Sequence, residues 1–279
     1  MTVATRSASM GAHRRIQARR DIGAILGFGG ADYTIIPLGD KKHETDGRTT
    51  TVGIGRGAAK GRDFICSKAI SDFDTPPRYH TNQLELPSIS FNGTDEQVKS
   101  ADFDILHVFS GGSNQPLSTG MWINAPPGST WRQLFNRYTN PSLREWYAHI
   151  TTGDRFSFGL ADEIINDAVS VSTYDVIPTN EWIFVVSTFN GAEDSEAVDG
   201  IGLYVNAHKA DVNKTINVNY SKSTGTGSKV SMCSLGSNDP NQFYDGWIRG
   251  GDIGPFWTRQ ELLQSQISRL YSIGIAAQG

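Results

Sequence analysis

Apolar and polar positions follow two regimes along the chain. From Ser88 onward, short alternating runs are separated by Gly, Asn, Asp and Pro, the pattern of strands that bury one face. Gly120–Ala125, Trp131–Arg137, Glu145–Thr151, Arg155–Ala161, Val169–Tyr174, Gly200–Asn206, Val230–Leu235 and Phe243–Ile253 each read as strands. Glu181–Phe189 is a near-continuous run of β-branched and aromatic residues, which predicts a central strand covered on both faces. Closely spaced strands with no helix between them predict a sandwich. One helix is signalled near the end of the chain. Thr258-Arg-Gln-Glu261 has the form of a capping box, Leu262, Leu263, Ile267, Leu270 and Tyr271 recur at helical spacing, and Gly274 offers a stop. That apolar stripe predicts a helix packed across one end of the sandwich.

The part before Ser88 is different. Residues 1–20 hold Arg6, Arg14, Arg15, Arg19 and Arg20 and no acid, and residues 21–62 hold ten of the 30 glycines with no sustained period. The expected organisation is therefore a basic Gly-rich N-terminal arm over 1–62, a connecting segment over 63–87, and a β domain over 88–279. Charge sharpens this division. The whole chain has 25 Lys/Arg against 29 Asp/Glu and a formal net charge of −4, which excludes a nucleic-acid binder spread over the whole chain. Residues 1–62 nonetheless carry 11 Lys/Arg against 5 Asp/Glu, and residues 63–279 carry 14 against 24. Arginine pairs bidentately with carboxylates and neutralises phosphates, so the arm suits an acidic partner, protein or nucleic acid.

Composition removes other classes. At 38% hydrophobic and 10% aromatic residues the chain is too apolar for a disordered one. Two cysteines, Cys66 and Cys233, are too few for a disulfide scaffold; they read as buried thiols, with a single bridge left open. No stretch reaches the roughly 18 apolar residues of a membrane helix. The basic run to Arg20 and the apolar residues after it are broken by Asp21 and by glycines, so the segment reads as retained rather than as a signal peptide. The expected site of synthesis is a cytoplasm.

Six motifs occur in a recognisable order: Ser90–Glu96, Thr119–Ile123, Asn180–Val186 with Asn190-Gly191, Gly202–Asn206, Phe243–Ile248 with Gly254–Phe256, and the Thr258–Tyr271 helix. Together they resemble a LamG-like jelly roll of the concanavalin A-like lectin and glucanase superfamily, over roughly residues 88–274. The resemblance implies an all-β, two-sheet antiparallel jelly-roll sandwich, here with an extended N-terminal arm and one short C-terminal helix. One position departs. Asn206 is followed by Ala207 where the family often has glycine, and alanine resists the positive φ of a tight hairpin, so a longer or different turn is expected there.

The chemistry points to binding, not catalysis. A retaining glucanase of this architecture needs paired carboxylates on a strand, read as Glu-x-Asp-x-x-Glu, and no such string occurs. Glu193-Asp194-Ser195-Glu196 reads as a solvated turn. The six histidines lack metal-ligand spacing, and His149, in a strand-like run, reads as a sheet histidine ahead of a general base. Gly27–Gly30 and Gly53–Gly57 precede no helix and are poor phosphate loops. The resemblance implies calcium held between loops by Asn92, Thr94, Asp95 and Asp245; the alternative is that these residues cap turns. Exposed aromatics suit sugars, and Trp131, Tyr138, Trp146, Tyr147 and Tyr220 are the candidates. The resulting expectation is a non-enzymatic structural protein of a tailed-phage particle, a capsid decoration or cement protein. Its arm would hold neighbouring virion subunits or further copies of itself, with no membrane partner. The alternative is a lectin-like module that binds a surface polysaccharide.

Overall fold

The computed structural model describes residues 17–18, 20–35, 43–45, 49–54, 56–57, 63–68, 78–80, 88–100, 108–110, 112–140, 143–162, 167–216, 220–222, 230–235, 242–250 and 253–276. Among them, two ten-stranded sheets with antiparallel pairing form the sandwich expected from the strand pattern. Sheet one runs His208–Lys209, Ile201–Val205, Ile183–Phe189, Leu117–Asn124, Asp245–Arg249, Ser88–Asn92, Arg78–His80, with Phe256–Thr258 also paired to Leu117–Asn124, Tyr33–Ile35 to Phe256–Thr258, and Arg56–Gly57 to Tyr33–Ile35. Sheet two runs Val212–Thr215, Asp167–Thr173, Phe156–Asp162, Leu143–Ile150, Arg132–Asn140, Val230–Met232, Glu96–Ser100, Asp63–Lys68, Thr49–Ile54, His43–Thr45.

Strand alternation places one face of each sheet in a shared core. Trp146, Ala148, Ile150, Phe156, Phe158 and Leu160 of sheet two meet Met121, Ile123, Ile183, Val185 and Leu203 of sheet one. Sheet one is buried on its other face as well. There Trp122, Phe184, Val186 and Tyr204 pack with Ile22, Ile25 and Leu26 of a helical stretch over residues 20–26 and with Ile267 and Leu270 of the C-terminal helix Gln264–Ala276. The Trp122 ring stacks on Tyr271 at 5.4 Å and tilts against Phe184 at 5.2 Å. Burial on both faces explains why Glu181–Phe189 reads as an apolar run without alternation. No helix among the described residues is long and apolar enough to cross a membrane.

The N-terminal residues join this body. Tyr33–Ile35 pairs with Phe256–Thr258, and Thr49–Ile54 and Asp63–Lys68 lie within sheet two. The helical stretch ends on side chains from the strand it covers. Gln260 Nε2 donates to the Ile25 carbonyl at 2.9 Å and to the Leu26 carbonyl at 2.7 Å, and the Thr258 hydroxyl donates to the Leu26 carbonyl. These bonds satisfy carbonyls that a helix end leaves open.

Three local expectations are corrected. Thr258 closes a strand and donates to Leu26, so it does not cap the C-terminal helix. The helix begins at Gln264, and Gln266 Oε1 reaches back to the Leu263 N–H at 2.8 Å, the returning half of a capping box five positions later than expected. Gly274 does not stop the helix, which runs to Ala276; the Gly274 backbone lies against the Trp122 indole, where a Cβ would fall 2.5 Å from the ring nitrogen. The third concerns Asn206 and Ala207, which form a tight two-residue turn, both with positive φ, 49° and 64°. The left-handed region costs alanine about 1 kcal/mol or more, offset here by packing: Ala207 is buried in the helix-covered cluster and its carbonyl accepts from Gln264 Nε2.

The seating of the helix on Trp122 is testable. Gly274→Val overpacks that contact and is expected to lower stability by about 1–3 kcal/mol, read as a lower midpoint in a thermal melt. An unchanged midpoint would show that the helix is not held there.

Candidate functional site

Helices cover the outer face of sheet one, which directs attention to the outer face of sheet two. Residues that alternate with its core positions point outward. Cross-strand register lines up Gln133, His149, Ser157, Ser172 and Asn213 in one transverse row, and Asn136, Tyr147, Gly159, Ser170 and Thr215 in the next. This face is rich in amides, hydroxyls and small residues.

Aromatic rings gather at one end of it. Trp131, immediately before the Arg132–Asn140 strand, is 43% exposed, and its ring centroid is 4.5 Å from that of His149. Tyr147 stacks on the same imidazole at 5.3 Å with an interplanar angle of 17°. Gly159 makes room for this, since a Cβ there would run into the Tyr147 ring. Gln133 is tied to the neighbouring loop, its N–H donating to the Gln242 carbonyl at 3.0 Å and its Nε2 to Gln242 Oε1 at 2.9 Å. Neither ring nitrogen of His149 and no partner of Gln133 Oε1 completes a hydrogen bond within the protein. Burial lowers the His149 pKa from 6.5 to about 3, because a charged imidazole loses its hydration there. The imidazole is thus a neutral, flat support for the Trp131 ring.

Asp154 organises the loops at this end. It sits in the left-handed region, φ 53°, which Asp tolerates better than most residues. Its carboxylate pairs with the Arg132 guanidinium and accepts the Gly128 N–H at 3.1 Å, while its carbonyl accepts the Ile177 N–H at 2.8 Å. The same Arg132 also donates to the Pro126 carbonyl. One residue therefore joins the 125–131, 151–155 and 174–180 loops through its carboxylate and its carbonyl. The last of these presents Tyr174, 62% exposed.

The aromatic candidates from sequence separate clearly. Trp131 and Tyr147 come together around His149, and Tyr138 is half-buried on the same strand as Gln133. Trp146 and Tyr220 are corrected: both are buried in the sandwich core, so neither has a ring face to offer. Of the arm arginines, Arg20 is exposed; Arg6, Arg14, Arg15 and Arg19 lie outside the described residues. Glu193 is not a plain solvated turn residue, since its carboxylate accepts the Asn114 N–H at 2.9 Å. Sequence reasoning missed Gln133, Asp154, Arg155, Tyr174 and Gln242. Tyr174 ends a predicted strand, but nothing local marks its ring as exposed.

Asn92, Thr94, Asp95 and Asp245 do meet, since Asn92 and Asp245 are paired across adjacent strands. Their groups serve the turn itself. Asn92 Oδ1 accepts the N–H groups of Thr94 and Asp95 at 2.9 and 3.2 Å, and Asn92 Nδ2 donates to Asp95 Oδ1 at 2.8 Å. An amide nitrogen facing the carboxylate does not fit a cation that needs six or more oxygens. Among the described residues, no group of three or more His, Cys, Asp or Glu gathers to hold a metal.

The fold places the chain in the class of two-sheet antiparallel β-sandwiches. No family model and no curated protein matches the sequence, whereas solved structures share the fold. Domain 4 of AbnA, an extracellular GH43 arabinanase from Geobacillus stearothermophilus, in complex with arabinotriose, aligns at 13% identity and TM-score 0.57, over 86% of this chain and 98% of that one. The receptor-binding domain of botulinum neurotoxin D aligns at 16% identity and TM-score 0.52, over 87% and 53%. A structure of botulinum neurotoxin type C, which depends on two ganglioside molecules to enter cells, aligns at 16% identity and TM-score 0.51, over 86% and 51%. The chain thus spans about half the length of the toxin domains it matches. At these identities the likeness is one of fold.

Two measurements check the site's physical chemistry. With its folded pKa near 3 and an ordinary value of 6.5, His149 binds a proton more readily in the unfolded chain between those values. Its contribution to stability is therefore full above pH 6.5 and is lost as pH falls toward 3. His149→Phe is expected to flatten that acid-side loss in melts recorded from pH 7 to pH 4, while keeping the neutral-pH midpoint. For the Asn92–Asp245 turn, melts in excess calcium and in chelator are expected to coincide; a calcium-dependent rise would restore a metal role.

Proposed function

We propose that this protein is a non-catalytic carbohydrate-binding module that takes sugar on the outer face of sheet two. The observation that carries the reading is the Trp131 ring, exposed but fixed on His149 at the edge of a polar face. Sugars present apolar C–H faces and a rim of hydroxyls, and a rigid aromatic surface beside amides and hydroxyls matches both. The solved neighbours support this choice, since their descriptions include a domain bound to arabinotriose. Binding is favoured over cleavage because the Asp154 carboxylate, in the loops at this end of the face, is held by Arg132 and the Gly128 N–H.

The particle-subunit reading has no comparable support. Residues 20–26 and 33–35, within the expected arm, pack on the sandwich of their own chain. The concanavalin A-like resemblance of residues 88–274 is retained as part of the sugar-binding reading.

A glycan array probed with the wild-type protein and with Trp131→Ala tests the proposal. Wild type is expected to bind a defined set of glycans, and the variant to lose about tenfold in affinity for them, with its melting midpoint lowered only slightly, because Trp131 is already 43% exposed. If the wild type binds no glycan, the proposal fails.

A further inference from the structure

Resting on that reading, a second set of residues defines what kind of sugar the face takes. Extending the register by one position beyond Arg132–Ile150–Phe156 puts Trp131, Thr151, Arg155 and Tyr174 in one row across four strands. Strand alternation sends all four to the outer face, because Ile150 and Phe156 point into the core. Trp131 and Tyr174 stand at the two ends of the row, both exposed. Three inter-strand spacings separate them, about 14 Å, wider than a single sugar ring. The loops that carry them are tied together through Asp154, so the separation is built in before any ligand arrives.

Arg155 lies between the two rings. It is half-buried, its Nε is fully buried with no hydrogen-bond partner, and among the described residues no carboxylate pairs with it, whereas the Arg132 guanidinium pairs with Asp154. A buried guanidinium N–H without an acceptor is unfavourable, and the forked donors of arginine match a carboxylate. Asp154, next to it in sequence, is engaged by Arg132, and the loops beside Tyr174 carry the exposed Asp175 and Asp211. Those two exposed acids disfavour a ligand charged along its whole length.

We propose that the site binds an acidic oligosaccharide laid across the strands, with sugar rings stacked on Trp131 and Tyr174 and a uronic- or sialic-acid carboxylate between them held by Arg155. Tyr174 and Arg155 are then specificity-determining residues: Tyr174 selects length and Arg155 selects charge.

The test uses the full chain and an array of oligosaccharides, from monosaccharide to hexasaccharide, in matched neutral and acidic pairs that carry uronic or sialic acid. Hits are followed by calorimetry. Wild type is expected to favour the acidic member of each pair and to gain affinity with length. Arg155→Gln should lose about tenfold or more on acidic sugars and little on neutral ones, and Tyr174→Ala should weaken only the longer ligands. Added salt offers a readout independent of any variant's folding: it should weaken acidic but not neutral binding to the wild type. If neutral and acidic sugars bind alike, with no salt dependence and no effect of Arg155→Gln, the inference is overturned while sugar binding stands. If no glycan binds the wild type at all, the underlying reading falls and this inference with it.

Discussion

Everything in this molecule depends on the burial of Trp122 from the outer face of sheet one. A sheet exposing Trp122, Phe184, Val186 and Tyr204 to water would be unstable and prone to associate. Two chain-distant segments solve this by laying helices over the same surface, residues 20–26 from the front of the chain and Gln264–Ala276 from its end. Gly274 allows the second helix to approach the indole, and Gln260 and Thr258 hold the end of the first. Sheet one is thereby closed on both sides, whereas the outer face of sheet two keeps the rings of Trp131 and Tyr174 exposed at one end.

That remaining face gains its order from two unusual residues. His149 is a buried imidazole that makes no hydrogen bond, an arrangement that costs stability and is accepted where a flat neutral support is needed under an exposed ring. Asp154 adopts a left-handed conformation to bring its carboxylate, N–H and carbonyl to three separate loops. Binding surfaces work best when their groups are positioned beforehand, because ordering them on binding subtracts from affinity. Trp131 and Tyr174 are held in this way on the ends of paired strands.

Much of the fold was legible along the chain. Alternation located the long strands from Leu117 onward but not shorter ones such as Ser88–Asn92, Glu96–Ser100, Val212–Thr215 and Phe256–Thr258, and the unbroken run Glu181–Phe189 announced a strand with both faces covered. The front third was not legible. Its strands are short and separated by glycine-rich stretches, and they gain stability by pairing with strands distant in sequence, so no periodic signal marks them. The turn at Asn206-Ala207 misled for a related reason: local propensity argues against alanine with positive φ, and packing under the C-terminal helix overrides it.

The site divides in the same way. Trp131 and Tyr147 were readable as aromatic candidates, but Trp146 and Tyr220 looked equivalent, because strand alternation does not say which face is the core. The sequence by itself determined a two-sheet sandwich with a helix at its end and without the acidic string of a glucanase. Only the tertiary structure decided which sheet face the helices cover, which rings stay exposed, and that the Arg155 Nε is buried without an acceptor. The physical reason is that periodicity is local, whereas burial and the pairing of charges depend on residues brought together from distant parts of the chain.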